Sequence, residues 1–445
     1  MQGKRVDRFG TAMCAILGLI LGASGALADP PRRLPASPPT VVAPIAVALP
    51  GMPPVSDANN LYSDTAAGHM SPATAGMLAR IYVPEHGGDS VSVIDPATMK
   101  VVDHFRVGNS PQHIVPSWDL KTLWVTNNAD TGGGASLTPI DPMTGKPGKT
   151  IIVHDPYNMY FTPDGTAAII VREAQRQLEF RDPHTMAPLY SIPTPECIGI
   201  NHADFSIDGR YVIFSCEFAG AVTKIDLVDR KVVGTLQLSD QGSRAEMAGM
   251  AHSLQASDMH FGRRSHRSRH RSRRRSGGGG MAHAMPQDVR ISPDGKVFYV
   301  ADMVSDGVYL IDGATLSEIG FIATGTGAHG FCVSRDAKQL FVANRGSHAM
   351  PSGYPGGKGS ITVIDFATRS IVANWPIPGG GSPDMGGVSA DGKTLWFAGR
   401  FDKEVYAIDT SSGDVTKIKV GSEPHGLSVW PQPGRYSLGH TGNMR

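Results

Sequence analysis

The chain has 445 residues, more than one average domain holds, and a formal net charge of +1. That balance comes from one run: Arg263 to Arg275 (RRSHRSRHRSRRR) contains eight arginines, and without it and the basic start of the chain the remainder carries about −9. A mildly acidic body disfavours phosphates as ligands and favours cations.

In chain order, residues 1–28 have the pattern of an export signal. Lys4, Arg5 and Arg8 precede the largely apolar run Thr11 to Leu21, and Ala26-Leu27-Ala28 offers a cleavage site. The run is too short to anchor in a bilayer, and Cys14 lies inside it instead of at the cut, where a lipoprotein would need it. The expectation is a cleaved, periplasmic or secreted protein. Residues 29–78, rich in Pro, Ala and Val over Asp29 to Ala58, are expected to form an extended tether, although 59–78 could pack on the body.

From Ala79 the sequence ARIYVPEHGGDSVSVIDPATMKVVDHFRVG supplies three strands. Seven copies of one β-hairpin unit follow, starting at Pro111, Pro156, Ile200, Pro286, Gly327, Pro383 and Pro424. The clearest copy, GAHGFCVSRDAKQLFVAN, has two alternating apolar runs around a short polar turn. Most copies continue into a third strand ending in Ile-Asp (Ile140-Asp141, Ile225-Asp226, Ile311-Asp312, Ile364-Asp365, Ile408-Asp409) and then a fourth. The seventh breaks off after one strand, and the segment from Ala79 lacks only that strand. A four-strand repeat of roughly 40 residues predicts an all-β, seven-bladed propeller of four-stranded blades over 79–431. Pairing of the C-terminal strand Gly426 to Trp430 with the N-terminal strands would close the ring.

Two spacings exceed the repeat. One accommodates 239–285, which lacks an apolar alternation and contains the Arg run; the other accommodates 345–359, rich in Gly and Pro. Both read as loops. A run of like charges without aromatic residues is a low-complexity insert before it is a nucleic-acid arm. Residues 432–445 read as a C-terminal tail. After cleavage Cys197, Cys216 and Cys332 remain, so at least one thiol is unpaired. A Cys197–Cys216 disulfide is conceivable although the hairpin register does not place them opposite, and Cys332 reads as a core residue.

Trp124-Val125-Thr126-Asn127, Phe341-Val342-Ala343-Asn344 and Tyr299-Val300-Ala301-Asp302 resemble the signature of the YVTN-family β-propellers, over Ala79 to Pro431. The resemblance implies a seven-bladed disc of the kind found in surface-layer and periplasmic binding proteins. Similar discs carry lactonases, the haem d1 domain of nitrite reductase and the copper domain of nitrous oxide reductase.

In a propeller the first strand of every blade lines the channel. The residues opening these strands are Gln112, Tyr157, Asn201, Gln287, His329, Asp384 and His425, followed by His113, Asn158, His202, Asp288, Gly330, Met385 and Gly426. His329, Asp384 and His425 fall on successive blades, and two imidazoles with a carboxylate suit copper, zinc or iron. His113 and His202 extend this metal set, although the strand parity of His113 would let it point between blades. His283, His348 and His440 are further candidates without a fixed register. Gly325 to Gly330 fits G-x-G-x-x-G by letter, but a strand follows it where a dinucleotide site needs a helix. There is no G-x-S-x-G, Walker, H-E-x-x-H or C-x-x-C-H motif. The expectation is an exported monomeric binding protein whose channel mouth takes a small ligand, a metal or a protein. The alternative is a metal-dependent periplasmic enzyme, redox or hydrolytic.

Overall fold

The computed structural model describes residues 48–129, 133–241, 283–347, 357–440 and 442–445. The export signal, the first part of the tether, the Arg run and most of the 345–359 insert lie outside them.

Seven antiparallel sheets make the expected ring, and among the described residues there is no α-helix. The innermost strands of blades 1 to 6 are Pro111–Pro116, Asn158–Phe161, Ile200–Phe205, Pro286–Ile291, Ala328–Val333 and Pro383–Val388. Blade 7 is composite. The C-terminal strand Ser428–Trp430 pairs with Arg80–Glu85, in the register Arg80 to Trp430, Ile81 to Val429 and Tyr82 to Ser428. In blade 1 the outer strand is split into Lys146–Pro147 and Ile151–Ile152, which both pair with Ser136–Asp141.

The apolar residues of each blade are buried against the next blade. Trp124 joins Met159, Phe161 and Ile170 between blades 1 and 2; Tyr299 joins Phe331 and Leu340 between blades 4 and 5; Trp396 joins Ile81, Val83 and Val429 across the closing seam. The hairpin turns use the Asp-Gly pairs as their chemistry demands. Gly165, Gly209, Gly295 and Gly392 all have φ between +68° and +78°, and Asp208 accepts from the Arg210 N–H at 3.1 Å.

The first strands depart from simple alternation. In blades 1, 3, 4, 5 and 6 the register with the second strand slips by one residue at the start, as where Ile200 faces Cys216 but Ala203 faces Phe214. Such a bulge lets two consecutive residues turn toward the axis and frees a backbone N–H. In blades 1 and 3 a hydroxyl on the second strand satisfies that N–H. His113 N–H donates to Thr126 Oγ1 at 3.1 Å, and His202 N–H donates to Ser215 Oγ at 3.2 Å. Thr126, the threonine of the YVTN-like motif, also donates to the Tyr157 carbonyl at 3.1 Å and so ties blade 1 to blade 2.

Two segments differ from expectation. Residues 48–78 lie on the disc instead of extending from it: Leu61 and Tyr62 are buried, and the Tyr62 hydroxyl donates to the Ile291 carbonyl at 2.8 Å. The C-terminal tail folds back into the channel. Gly439 bridges to Tyr160, His440 N–H donates to the Met159 carbonyl at 3.0 Å, and Arg445 Nη2 reaches Asp204 Oδ1 at 2.6 Å. Tyr436 stacks on Trp118 near a hairpin turn. These contacts place the tail at the end of the channel where the first strands finish. Cys197 and Cys216 are disulfide-bonded with Cα atoms 4.8 Å apart. Gly199, at φ +70°, turns the chain back so that Cys197 reaches Cys216 although Ile200 is its strand partner. Cys332 is a free, buried thiol.

Candidate functional site

At the end where the first strands begin, a cavity of about 770 Å³ opens over the channel. Gln112, Tyr157, Gln287 and His329 of the expected ring line it. Asp384 and His425 are fully buried. Asn201 supports the wall by donating from Nδ2 to Glu217 Oε2 at 2.9 Å. His283 is exposed beside Asp240 at 3.2 Å and does not line the cavity; His348 lies outside the described residues.

A second ring was missed in the sequence. The residue just after the second strand of blades 1, 2, 3, 5 and 6 is Asn128, Glu173, Glu217, Arg345 and Arg400, and all five line the cavity. Charge therefore changes sign across the mouth, acidic on blades 2 and 3 and basic on blades 5 and 6. Burial pushes the Glu217 carboxyl upward, against hydrogen bonds from Gln287 and Asn201. The signal was available: these residues directly follow the YVTN-like motif or its counterpart in each copy.

His329, Asp384 and His425 do meet, each offering a ligand atom within 4.8 Å of the others. A guanidinium already serves their carboxylate. Arg345 Nη2 lies 2.9 Å from Asp384 Oδ1 and also bonds His329 Nε2, while Arg400 Nη1 stands 3.8 Å from Asp384 Oδ2. His329 Nδ1 is 2.7 Å from Asp384 Oδ1, out of line for a good hydrogen bond. Burial alone would raise the Asp384 carboxyl, but Arg345, His329 and His425 hold it well below the usual range. Burial and Arg345 push His329 down to about 4. A metal ion here would have to compete with a buried arginine for the only carboxylate of the trio.

His113 and His202 lie deeper, joined by His440 from the tail, and all three are fully buried. The bulge explains why His113 faces the axis and not the space between blades. Ring centroids are 5.2 Å apart for His113 and His202, 5.2 Å for His113 and His440, and 4.7 Å for His202 and His440. His113 also packs on His425 at 4.7 Å, and a Cβ on Gly426 would collide with its ring, so glycine makes room for this histidine. The Asn158 amide lies 3.1 Å from Nδ1 of both His202 and His440. Burial lowers the proton affinity of all three imidazoles well below the ordinary histidine value.

Residues 273–433 match the family described as YNCE-like beta-propeller. No curated protein matches the sequence. Among solved structures, the chain is similar to Kuenenia stuttgartiensis hydrazine synthase (TM-score 0.52, 18% identity, 79% of this chain and 94% of that one). It is also similar to a functionally unknown protein from Desulfotomaculum acetoxidans (0.55, 14%, 78% and 97%) and to dihydro-heme d1 dehydrogenase NirN (0.52, 13%, 82% and 77%). At these identities the likeness is one of fold. The chain is a seven-bladed β-propeller, and its C-terminal blades carry the YNCE-like beta-propeller signature.

Proposed function

We propose that this is an exported binding protein whose site is the channel mouth, and that its ligand is a small polar molecule with an anionic group and a hydrogen-bond-donating or cationic group. One observation carries the reading: a single cavity has Arg345 and Arg400 on one wall and Glu173 and Glu217 on the other. Arg345 is hydrogen-bonded to Asp384 at 2.9 Å, whereas Arg400 stands 3.8 Å from the same carboxylate and is the better placed of the two to anchor an anion. Gln112 and Gln287 supply adaptable polar contacts between the walls. The Cys197–Cys216 bond supports export, because such bonds persist in oxidising compartments.

Calorimetric titration with γ-aminobutyrate, butyrate and butylamine as probes tests this. The zwitterion is expected to bind more tightly than either singly charged probe, and Arg400→Ala to remove most of that preference. Equal affinity for all three, or a preference that survives Arg400→Ala, would contradict the reading.

A further inference from the structure

We propose that His113, His202 and His440 together bind one transition-metal ion in the channel, deeper than the mouth. This site is independent of the mouth ligand, and its third donor comes from the C-terminal tail.

The donors are three imidazoles whose ligand atoms lie within 4.8 Å of one another. Both ring nitrogens of His113, and Nε2 of His202 and of His440, are buried without a hydrogen-bond partner in the protein. Leaving a buried polar group unsatisfied costs about 1–3 kcal/mol, so three such nitrogens, one from each ring, within 4.8 Å of one another call for an occupant. The nearest carboxylate, Asp288 Oδ1, is 3.6 Å from His440 Nε2, beyond hydrogen-bond reach, and is bonded by Arg290 at 2.9 Å.

Three nitrogen donors without an oxygen ligand select copper, zinc, iron or cobalt and disfavour calcium and magnesium, which need oxygen cages. Metal–nitrogen bonds of about 2.0–2.1 Å would draw the rings inward by about 1 Å. The metal has no guanidinium within its own donor set, unlike the neighbouring trio of His329, Asp384 and His425. Asp288 and Asp384 supply negative charge nearby, with Arg290 and Arg345 as their partners.

Asn158 is the positioning residue. Its Nδ2 lies 3.1 Å from Nδ1 of both His202 and His440, and 3.4 Å from the Tyr160 hydroxyl. With metal on the two Nε2 atoms, both Nδ1 atoms carry protons, and the amide turns its oxygen toward them to accept both. That orientation gives up the contact from the Met159 N–H to Asn158 Oδ1 at 2.8 Å. The His440 donor is in place only when the tail has docked on blade 2, so the site is complete only in the closed ring.

The test uses the full chain, untagged, stripped with chelator and loaded with Co²⁺ or Zn²⁺. One equivalent retained per chain through desalting is expected, with the Co²⁺ form showing visible ligand-field absorption. His202→Ala and His440→Ala should each abolish retention, while His283→Ala, at an exposed histidine, should leave it intact. Asn158→Leu should weaken affinity by about 10–100-fold and Asn158→Asp should restore it. These Asn158 variants decide the matter should a histidine variant lose its fold by circular dichroism. No retained ion, which would make water the occupant, overturns the proposal. So does retention that survives both histidine substitutions, or equal affinity in Asn158→Leu and Asn158→Asp.

Discussion

Chelator-treated protein moved from pH 7 to pH 5 is expected to lose on the order of 8 kcal/mol of folding stability, most of what a typical domain possesses. The cause is five buried imidazoles. His113, His202, His425 and His440 are held well below the ordinary histidine value by burial and neighbouring cations, and His329 is pushed down to about 4. In the unfolded chain each titrates near its reference value of about 6.5. The folded-state affinity is depressed, so the stability is present above pH 6.5 and is lost as pH falls from there toward 4. Each histidine that stays neutral contributes about 2 kcal/mol of that loss by pH 5. Asp302 works in the opposite direction. Burial raises its carboxyl to about 6, so it takes up a proton in the folded state and returns about 1 kcal/mol over the same interval. Glu217, also raised, acts in the same sense. Denaturant titrations at the two pH values measure the difference. A change below about 2 kcal/mol would mean that these rings are protonated or solvated in the native channel.

Removal of Leu427 to Arg445 is expected to drive the protein into aggregates larger than any species the full chain forms. The deletion takes away Ser428–Trp430 and leaves Arg80–Glu85 as an open edge at the seam of the ring. Leu427, Val429 and Trp430 are almost completely buried, and each is worth about 1.5–3 kcal/mol of apolar burial. The tail goes with them, so Asp204 loses Arg445 and Asn443 while remaining buried. An unpaired edge of this kind recruits other chains. A second deletion that stops after Gln432 keeps the closing strand and separates the effects: it should keep the full chain's association state, with a lowered melting temperature. Size-exclusion chromatography with light scattering reads both variants. The full chain's association state together with wild-type melting temperature from the longer deletion would contradict ring closure by this strand.

The repeat, the blade number and the closing strand were legible because each hairpin announces itself through period-two apolar alternation and Asp-Gly turns, and because the two incomplete ends complement each other. His329, Asp384 and His425 were brought together by counting blades alone. What escaped was local. The bulge at the start of the first strand adds a residue without altering the apolar pattern, so strand parity misdirected the reading of His113. The tail has no periodicity. It docks through Gly439, Arg445 and single backbone bonds, none of which has a sequence period. Arg345 and Arg400 sit one residue beyond the motif that defines the blade, where alternation has stopped and only alignment of the copies shows charge changing around the ring. The disulfide was obscured because Cys197 precedes the strand and reaches back through a turn at Gly199.

The central claim is that ring closure gathers five histidines, distant in sequence, into one buried cluster in the channel. Long-range ¹H–¹⁵N NMR of ring-labelled, chelator-treated protein tests it most directly. Between pH 8 and pH 6, His113, His202, His329, His425 and His440 should remain neutral, each in a single tautomer. Titration of His113, His202 and His440 within this interval would show that they do not meet inside the channel.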